Sequence, residues 1–466
     1  MRERHAVARV PSGWWNFLHD FPEYAERSHL GLPSLGNKAG QRISVVPQQP
    51  LSLARQSSNL SDPLIEIPER LRDLLRQYRP TPLRRAVHLE ERLDVNARLY
   101  YKFEGANISG SHKLNTALAQ AYYYREAGVE RLVTGTGAGQ WGSALAYACN
   151  LLGLRCTVFM VGASLRQKPQ RPVMMQLFGA EVFSSPSDVT EVGREAARKD
   201  PQRIGTLAVA TGEALEISHR EPRTRFAVGS GENCVILHQT LIGAEAVEQM
   251  ESLGDFPNRV VACMGAGSNF GGIGLPFLRA ARERRQELKL VAAEPSACPK
   301  LTRGRYAYDL SDFSGTTPVS RMYTLGSRYL APPIYAGGLR YHGTSPFLSA
   351  MYADGRFEAT AIDQPEALAA GLLLAETENI LPAPESAHAV AAAVNLARHH
   401  PKHEEPLVIL FNVSGHGLFD LSAYQSFRDG TVDAGRASET AIAESLEELE
   451  RFNRAIDSQS VPLTAP

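Results

Sequence analysis

The chain has 466 residues, of which 43% are hydrophobic and 21% are charged, and its formal net charge is -1. This composition excludes a disordered protein, and the length is sufficient for two packed domains. A net charge so close to zero argues against a nucleic-acid or anionic-membrane surface, so we expect neither kind of partner.

Cysteine usage and the termini indicate the compartment. The five cysteines form no C-x-x-C pair, and most of them lie in apolar contexts, which favours reduced core thiols over disulfides or metal ligands. The basic N-terminus lacks an apolar signal-peptide core, and no apolar run approaches the ~18 residues of a membrane span. We therefore expect a cytoplasmic protein with no metal site built from its side chains.

Three zones follow one another along the chain. Residues 1–75 are rich in Pro, Ser and Gln, which is typical of an arm that packs on a larger body. From about residue 80 to 424, alanine-rich amphipathic stretches separate predicted strands at 99–103, 131–133, 157–161, 259–264 and 288–292. This alternation predicts an α/β fold around a mainly parallel sheet. The charged, periodic stretch 434–455 predicts a C-terminal helix, followed by a frayed tail.

Lys113 is the first candidate for chemistry. It lies in the run GSHKLN (110–115), just before an apolar, helix-compatible stretch. A lysine that forms an imine must have a neutral amine part of the time, and a crowded pocket of small residues favours this state. The alternative is an ordinary solvated lysine.

A glycine-rich loop, GAGQWG (137–142), follows one predicted strand and opens a helix. It matches G-x-G-x-x-G, but the next strand is not followed by the acidic residue that a dinucleotide site uses on ribose, so we reject NAD. Backbone N–H groups in such a loop can instead bind a small anion, such as an amino-acid carboxylate.

A second loop, GAGSN (265–269), also follows a buried-looking strand. Its small residues let the backbone close around one phosphate monoester, and Ser268 and Asn269 add side-chain donors. A hydrolase nucleophile elbow is excluded, because Ala266 and Phe270 stand where that motif needs glycine. Either loop could also be a tight turn that binds nothing. A lysine for an aldehyde, a loop for a phosphate and a loop for a carboxylate together indicate pyridoxal 5'-phosphate and an amino-acid substrate.

Several motifs then resemble a known family. They are FEGAN (103–107), GSHKLNTA (110–117), TGAGQWG (136–142), GAGSN (265–269), AGGLRYHG (336–343), PESAH (384–388) and NVSGHG (412–417). From about residue 13 to 424 the chain resembles the tryptophan synthase β chain, and QWG, AGGLRYHG, PESAH and the long arm resemble its second, less common class. The resemblance implies a fold-type II pyridoxal-phosphate enzyme, an α/β fold with two αβα domains, mainly parallel sheets and an N-terminal arm.

The resemblance also implies a domain division. Residues 1–75 form the arm, residues 76–111 and 231–430 form the large cofactor-binding domain, residues 112–230 form a small mobile domain, and residues 431–466 form the C-terminal helix and tail.

Site residues are carried over position by position. Lys113 matches the catalytic lysine that forms the Schiff base. The implied cofactor-binding residues are His112, Lys113, Asn115, Gly265, Ala266, Gly267, Ser268, Asn269, Glu378 and Ser414. The implied substrate-binding residues are Thr136, Gly137, Ala138, Gly139, Gln140, Trp141 and Arg340. Ser414 would face the pyridine nitrogen, where a neutral hydroxyl favours β-elimination over transamination, and Glu378 would be the acid near the ring.

Two departures from the family stand out. Gly135 occupies the position of a glutamate that protonates the hydroxyl leaving serine and later accepts the indole proton, and losing such a group typically costs ~10²–10⁴ in rate. Ala266 replaces a glycine of the phosphate cup, which is tolerated if its φ is negative. A phosphate leaving group needs less acid assistance than hydroxide, so we expect O-phospho-L-serine as a donor. Arg340 would then bind the second phosphate or would be a structural ion-pair residue.

We therefore predict a pyridoxal-phosphate-dependent lyase that joins L-serine or O-phospho-L-serine to indole to give L-tryptophan. The alternatives are a diverged β-replacement or β-elimination enzyme with another donor or nucleophile, and a non-catalytic binding or regulatory homologue. The resemblance implies a homodimer, which we expect to need no α subunit. It also implies a monovalent cation, which leaves no sequence signature because backbone carbonyls bind it.

Overall fold

Two separate sheets carry the fold of this protein. The computed structural model describes residues 8–29 and 49–458, so part of the predicted arm and the end of the tail lie outside the described residues. The strands are β1 Gly13–Trp15, β2 Leu64–Glu66, β3 Leu83–Arg85, β4 Ala97–Phe103, β5 Arg131–Thr136, β6 Arg155–Val161, β7 Glu181–Ser185, β8 Thr224–Phe226, β9 Arg259–Cys263, β10 Lys289–Pro295, β11 Arg305–Asp309, β12 Ser320–Thr324, β13 Glu358–Ile362 and β14 Leu407–Val413.

Helices connect most of these strands. They are α1 Phe17–Asp20, α2 Pro22–His29, α3 Leu51–Ser58, α4 Glu69–Arg76, α5 Val87–Leu93, α6 Leu114–Glu126, α7 Gln140–Leu152, α8 Gly162–Gln167, α9 Gln170–Leu177, α10 Glu191–Lys199, α11 Leu207–Arg220, α12 Asn233–Leu253, α13 Ser268–Arg284, α14 Pro346–Ala353, α15 Gln364–Glu378, α16 Pro384–His399, α17 Leu421–Arg428 and α18 Glu439–Ser458. The five strands that the sequence predicts and its C-terminal helix are all present.

The larger sheet has the strand order β13-β10-β9-β14-β4-β3. All its neighbours are parallel except β3, which runs antiparallel to β4. Helix α13 packs against β9 and is itself covered by α12, while α16 packs against β14, β9 and β10. Both faces of the central strands are therefore covered, which explains their nearly continuous apolar sequences.

The smaller sheet has the order β7-β6-β5-β8 and is parallel throughout. Helix α7 packs on β5 and β6, and α11 packs against both strands with the apolar cluster of Val133, Phe159, Val161, Ala210 and Ala214. The prediction of an α/β fold with mainly parallel sheets is confirmed.

Within the described residues, the arm lies against the larger body. Strand β1 pairs with β2, and the buried Trp14 packs on His238 of α12 with ring centroids 4.7 Å apart. All five cysteines are buried and unbridged. Among the described helices, none is long and apolar enough to cross a membrane.

Candidate active site

The site forms where the carboxyl ends of parallel strands meet, which is where open α/β sheets bind ligands. Four segments leave these strand ends. The segment after β4 leads to Lys113, the loop after β5 opens α7, the loop after β9 opens α13, and Ser414 directly follows β14. Because the loops close around small residues, their backbones approach one another.

Lys113 stands at the start of α6, and its amine is directed inward. Its Nζ donates a hydrogen bond of 2.9 Å to the carbonyl oxygen of Gly229. Burial lowers the pKa of Lys113 to about 8, although Cys263 and Glu385 oppose this shift. A substantial fraction of the amine is therefore neutral near neutral pH, as a nucleophilic lysine requires.

The loop after β9 has the geometry of a phosphate cup. Gly267 has φ +122° and immediately precedes α13, so the first N–H groups of that helix open into the loop. A Cβ added at Gly265 would lie 2.8 Å from the carbonyl oxygen of Gly338. Ala266 is not among the residues with positive φ, so its methyl group causes no backbone strain. The Oγ of Ser230 donates to the Oγ of Ser268 at 3.1 Å.

His112 and Ser414 border the same space. The Nδ1 of His112 donates to the carbonyl oxygen of Ser414 at 3.3 Å, and the ring is neutral because burial lowers its pKa to about 3. Its buried Nε2 has no hydrogen-bond partner in the part of the chain that the structure describes. The Oγ of Ser414 lies 2.8 Å from the Oγ of Ser386 and 3.6 Å from the Sγ of Cys263.

The loop after β5 presents backbone groups at the start of α7. Gly139 has φ +88°, and a Cβ added at Gly137 would lie 2.9 Å from the carbonyl oxygen of Gly337. The Oγ1 of Thr136 accepts a hydrogen bond from the N–H of Gly142. Gln140 donates its Nε2 to Glu385 at 2.9 Å. The first N–H groups of α7 can therefore bind a small carboxylate.

A family model described as "Pyridoxal-phosphate dependent enzyme" matches residues 74–415. The chain belongs to this family of pyridoxal-phosphate dependent enzymes. Its cofactor is pyridoxal phosphate, as the lysine and the two anion loops predict. In this chain two features fit the group: the buried Nε2 of His112, which has no partner among the described residues, and the loop at Gly265 and Gly267, where neighbouring atoms leave no room for side chains.

Individual relatives show which members of this family the chain is similar to. Tryptophan synthase beta chain 2 of Pyrococcus abyssi is 46% identical, covering 91% of this chain and 96% of the relative. Tryptophan synthase beta chain of Pseudothermotoga lettingae is 47% identical, covering 90% of this chain and 98% of the relative. Both bear out the predicted resemblance. A solved structure of a T.th. threonine deaminase has a TM-score of 0.53 at 21% identity, covering 75% of this chain and 97% of that chain, and supports the fold.

Glu385 is a site residue of this pyridoxal-phosphate enzyme that the sequence analysis missed. Its buried carboxylate accepts hydrogen bonds of 2.9 Å from Gln140 and from the N–H of Gly338, and lies 3.7 Å from the Nζ of Lys168. Burial alone would raise the pKa of Glu385, but Lys168 and the donated hydrogen bonds hold it below its ordinary value. The carboxylate is therefore ionised. The PESAH motif contained this residue, so a signal for it was present.

Glu378 was predicted near the cofactor ring, and the structure corrects this assignment. Its Oε1 accepts the N–H of Leu89 in the first turn of α5, at 2.9 Å. A carboxylate at this position stabilises the positive N-terminal end of α5. It is therefore occupied by this helix and not by the two glycine-rich loops. Glu385, seven residues later in the chain, is the acid that contacts the carboxylate loop.

Asn115 and Trp141 also have other tasks than those predicted. The Oδ1 of Asn115 accepts from Tyr78 and Arg79, and its Nδ2 donates to Gln239 and to Glu104. These bonds leave its side chain no capacity for the cofactor. The indole of Trp141 donates to Thr134 and packs directly on Gly229. It therefore braces the loop that faces Lys113, and its contact with a substrate stays a prediction.

The structure places the side chains of Asn269 and Arg340 differently. Asn269 donates to the carbonyl oxygen of Cys263 and accepts from Asn412, so only its backbone is free for a phosphate. The Nη2 of Arg340 donates to the carbonyl oxygen of Ala331 at 2.7 Å, and burial lowers its pKa to about 10. Its buried Nε has no hydrogen-bond partner among the described residues, and no ion pair of Arg340 is present there. Binding of a second phosphate therefore stays a prediction.

Gly135 faces away from the loops and onto helix α11. Because side chains alternate along a strand, Gly135 shares a face with Val133, which packs on α11. A Cβ added at Gly135 would lie 2.7 Å from the carbonyl carbon of Ala210 and 2.8 Å from the nitrogen of Thr211. The missing glutamate is therefore replaced by close backbone packing.

The lowered pKa of Lys113 leads to a prediction on cofactor capture. The rate at which the apo-protein binds pyridoxal phosphate should rise with pH around a midpoint of about 8, below the ordinary lysine value of 10.5. The sign follows because only the deprotonated amine attacks the aldehyde. Stopped-flow absorbance across a pH series measures the midpoint.

The matched variant for this prediction is Glu385→Gln. Its carboxylate raises the pKa of Lys113, so removing the charge should move the midpoint to lower pH. A midpoint close to the ordinary lysine value in the unaltered protein would contradict the prediction.

Proposed function

We propose that this enzyme catalyses β-replacement on L-serine or O-phospho-L-serine, with indole as the nucleophile and L-tryptophan as the product. The observation that carries the proposal is the placement of Lys113, whose amine of lowered pKa adjoins loops suited to a phosphate and a carboxylate. The tryptophan synthase β chains of Pyrococcus abyssi and Pseudothermotoga lettingae, similar over nearly their whole length, support it.

Each part of the site has a task in this reaction. When bound, pyridoxal phosphate supplies an electron sink for the charge that develops on the substrate Cα. Lys113 holds the cofactor and then moves the Cα proton. The Gly265–Asn269 loop binds the phosphate through its backbone, and the start of α7 binds the substrate carboxylate. Ser414 would offer a hydroxyl to the pyridine nitrogen of the bound cofactor, and Glu385 positions Gln140.

The packing at Gly135 leads to a prediction on the donor. We expect kcat/KM for O-phospho-L-serine to exceed that for L-serine by at least about 10²-fold, because phosphate needs less assistance from a general acid than hydroxide does. Steady-state assays with indole and each donor measure the ratio. Equal turnover of the two donors would contradict the leaving-group argument.

Two variants separate charge from packing at this position. Gly135→Glu should not restore serine turnover, since its side chain would meet the backbone of α11 within 3 Å. The methyl group of Gly135→Ala carries no charge but meets the same backbone atoms of α11. Both variants should therefore have a lower thermal stability than the unaltered protein. Serine turnover at the level of O-phospho-L-serine in Gly135→Glu would overturn this explanation.

Gly135 also favours a second candidate, a diverged β-replacement or β-elimination enzyme with a different donor or nucleophile. A mass-spectrometric screen that crosses donors carrying different β leaving groups with indole, thiols and amines distinguishes the two. Tryptophan as the dominant product supports the first proposal, and another product supports the second.

The proposal includes a homodimer that needs no α subunit, a cytoplasmic location, and the division into a large domain and a small mobile domain at residues 112–230. Gel filtration with and without a candidate α subunit tests the assembly. Limited proteolysis with and without substrate tests whether the small domain moves.

A further inference from the structure

A fully buried lysine lies behind the phosphate cup. Lys300, in the turn after β10, has no exposed surface, and its Nζ donates a 2.9 Å hydrogen bond to the carbonyl oxygen of Met264. The nearest carboxylate oxygen of Glu294 is 3.7 Å away, which is too long for a hydrogen bond. Buried ammonium groups cost several kcal/mol unless they are compensated, so this lysine calls for an explanation.

The carboxylate of Glu294 accepts its hydrogen bonds from the turn that follows β10. Its two oxygens accept the backbone N–H groups of Leu301 and Thr302 and the hydroxyl of Thr302. It balances the charge of Lys300 electrostatically without forming its hydrogen bond. The ammonium is therefore directed at the carbonyl of Met264.

The Met264 carbonyl belongs to the peptide bond that joins Met264 to Gly265, the first residue of the phosphate cup. Met264 directly precedes Gly265, and its own N–H donates to Ala293 at 2.8 Å. The C=O of Met264 and the N–H of Gly265 share one planar unit and point in opposite directions. By fixing the carbonyl, Lys300 also fixes the direction of the first N–H of the phosphate cup.

We propose that Lys300 is a built-in cation: its ammonium takes the place of a bound monovalent cation at the Met264 carbonyl, orients the Gly265 N–H and places positive charge behind the cofactor phosphate. A free K⁺ or Na⁺ at that oxygen would lie beside the ammonium of Lys300, and the repulsion between two buried cations opposes its binding. Cofactor binding by this chain is then independent of monovalent cations. Lys300 is a positioning residue, and this role does not depend on which donor or nucleophile the enzyme uses.

The first test uses the unaltered protein. Apo-protein is titrated with pyridoxal phosphate in potassium, sodium or tetramethylammonium chloride of equal ionic strength, and the visible absorbance of the bound cofactor gives the Kd. We expect Kd values within about twofold of one another. A Kd in potassium at least about tenfold below that in tetramethylammonium would overturn the proposal.

The second test removes the ammonium. Lys300→Ser leaves space for an ion, and we expect its Kd for pyridoxal phosphate in tetramethylammonium to rise at least about tenfold, as is usual for losing a charged hydrogen bond. Potassium or ammonium ions should recover most of this loss, which a purely structural defect would not show. Lys300→Met, which fills the space, should lose affinity without recovery.

Lys289→Met is the matched control, because Lys289 begins β10, the strand that leads into the turn of Lys300, but its ammonium is exposed and pairs with Glu358. It should bind the cofactor like the unaltered protein in all three salts. If Lys300→Ser binds the cofactor with unchanged affinity and no response to cations, the proposal is wrong. The titration of the unaltered protein remains decisive if the Lys300 variants do not fold.

Discussion

Replacing Lys113 with alanine should lower kcat by at least about 10³-fold, because the reaction loses both its covalent anchor and the base for the Cα proton. The two anion loops do not include this side chain, so the variant should still bind pyridoxal phosphate noncovalently and more weakly. Steady-state tryptophan formation measures the first effect, and the shift of the cofactor absorbance measures the second. Lys402→Ala, at an exposed lysine that pairs with Asp94, is the control and should retain full activity.

Chemical trapping gives an independent readout of the same assignment. Borohydride reduction of the holoenzyme followed by peptide mapping should place the pyridoxyl group on Lys113 and on no peptide of the alanine variant. Full activity in Lys113→Ala, or an adduct on another lysine, would refute the role of this residue.

The second large effect is expected at Arg79, in a buried ion cluster beneath the start of α6. Its guanidinium donates to Glu104, Glu245 and Asn115, and Lys102 donates to Glu245. All four charged side chains have no exposed surface. Arg79→Met would leave two carboxylates with a single buried cation, which should cost about 3–5 kcal/mol of unfolding free energy. Chemical denaturation measures this loss.

Arg76 provides the matched control one turn earlier. It is exposed and pairs with Glu69 and Asp73 on the surface of α4. Arg76→Met should therefore change the unfolding free energy by less than about 1 kcal/mol. Equal losses in the two variants would show that the buried cluster contributes nothing beyond an ordinary surface pair.

The cluster also predicts a pH dependence. Burial alone would raise the pKa of Glu104, but Arg79 and Lys102 outweigh it and hold the pKa at about 2, below the ordinary 4.5. Because the folded-state pKa is the lower one, this stabilisation is present above pH 4.5 and is lost as the pH falls toward 2. In Arg79→Met the loss of stability should begin at a higher pH.

Much of the fold could be predicted because its signals are local. Apolar runs of strand length, amphipathic stretches between them and glycine loops at their junctions indicate parallel sheets wherever the partners lie. The predictions for Lys113 and the two anion loops rest on local signals of the same kind. Small residues are needed where two backbone segments approach closely, so such places can be recognised in the sequence itself.

Assignments of single side chains were less successful, since they depend on direction and on distant partners. Glu378 and Glu385 are both acids near the start or end of a helix, yet one binds the N–H of Leu89 and the other binds Gln140. Asn115 lies only two residues after Lys113, but its side chain forms hydrogen bonds with Arg79 and Gln239. No local pattern distinguishes these outcomes.

The sequence by itself determined the α/β class and the pyridoxal-phosphate cofactor, and it predicted the reactive lysine and the two anion loops, because each follows from residue type and spacing within a short segment. Only the tertiary structure decided that α11 packs against Gly135, that Glu385 holds the carboxylate loop and that Lys300 binds the Met264 carbonyl. Those contacts join segments far apart in the chain, and their formation depends on how the helices and sheets pack together.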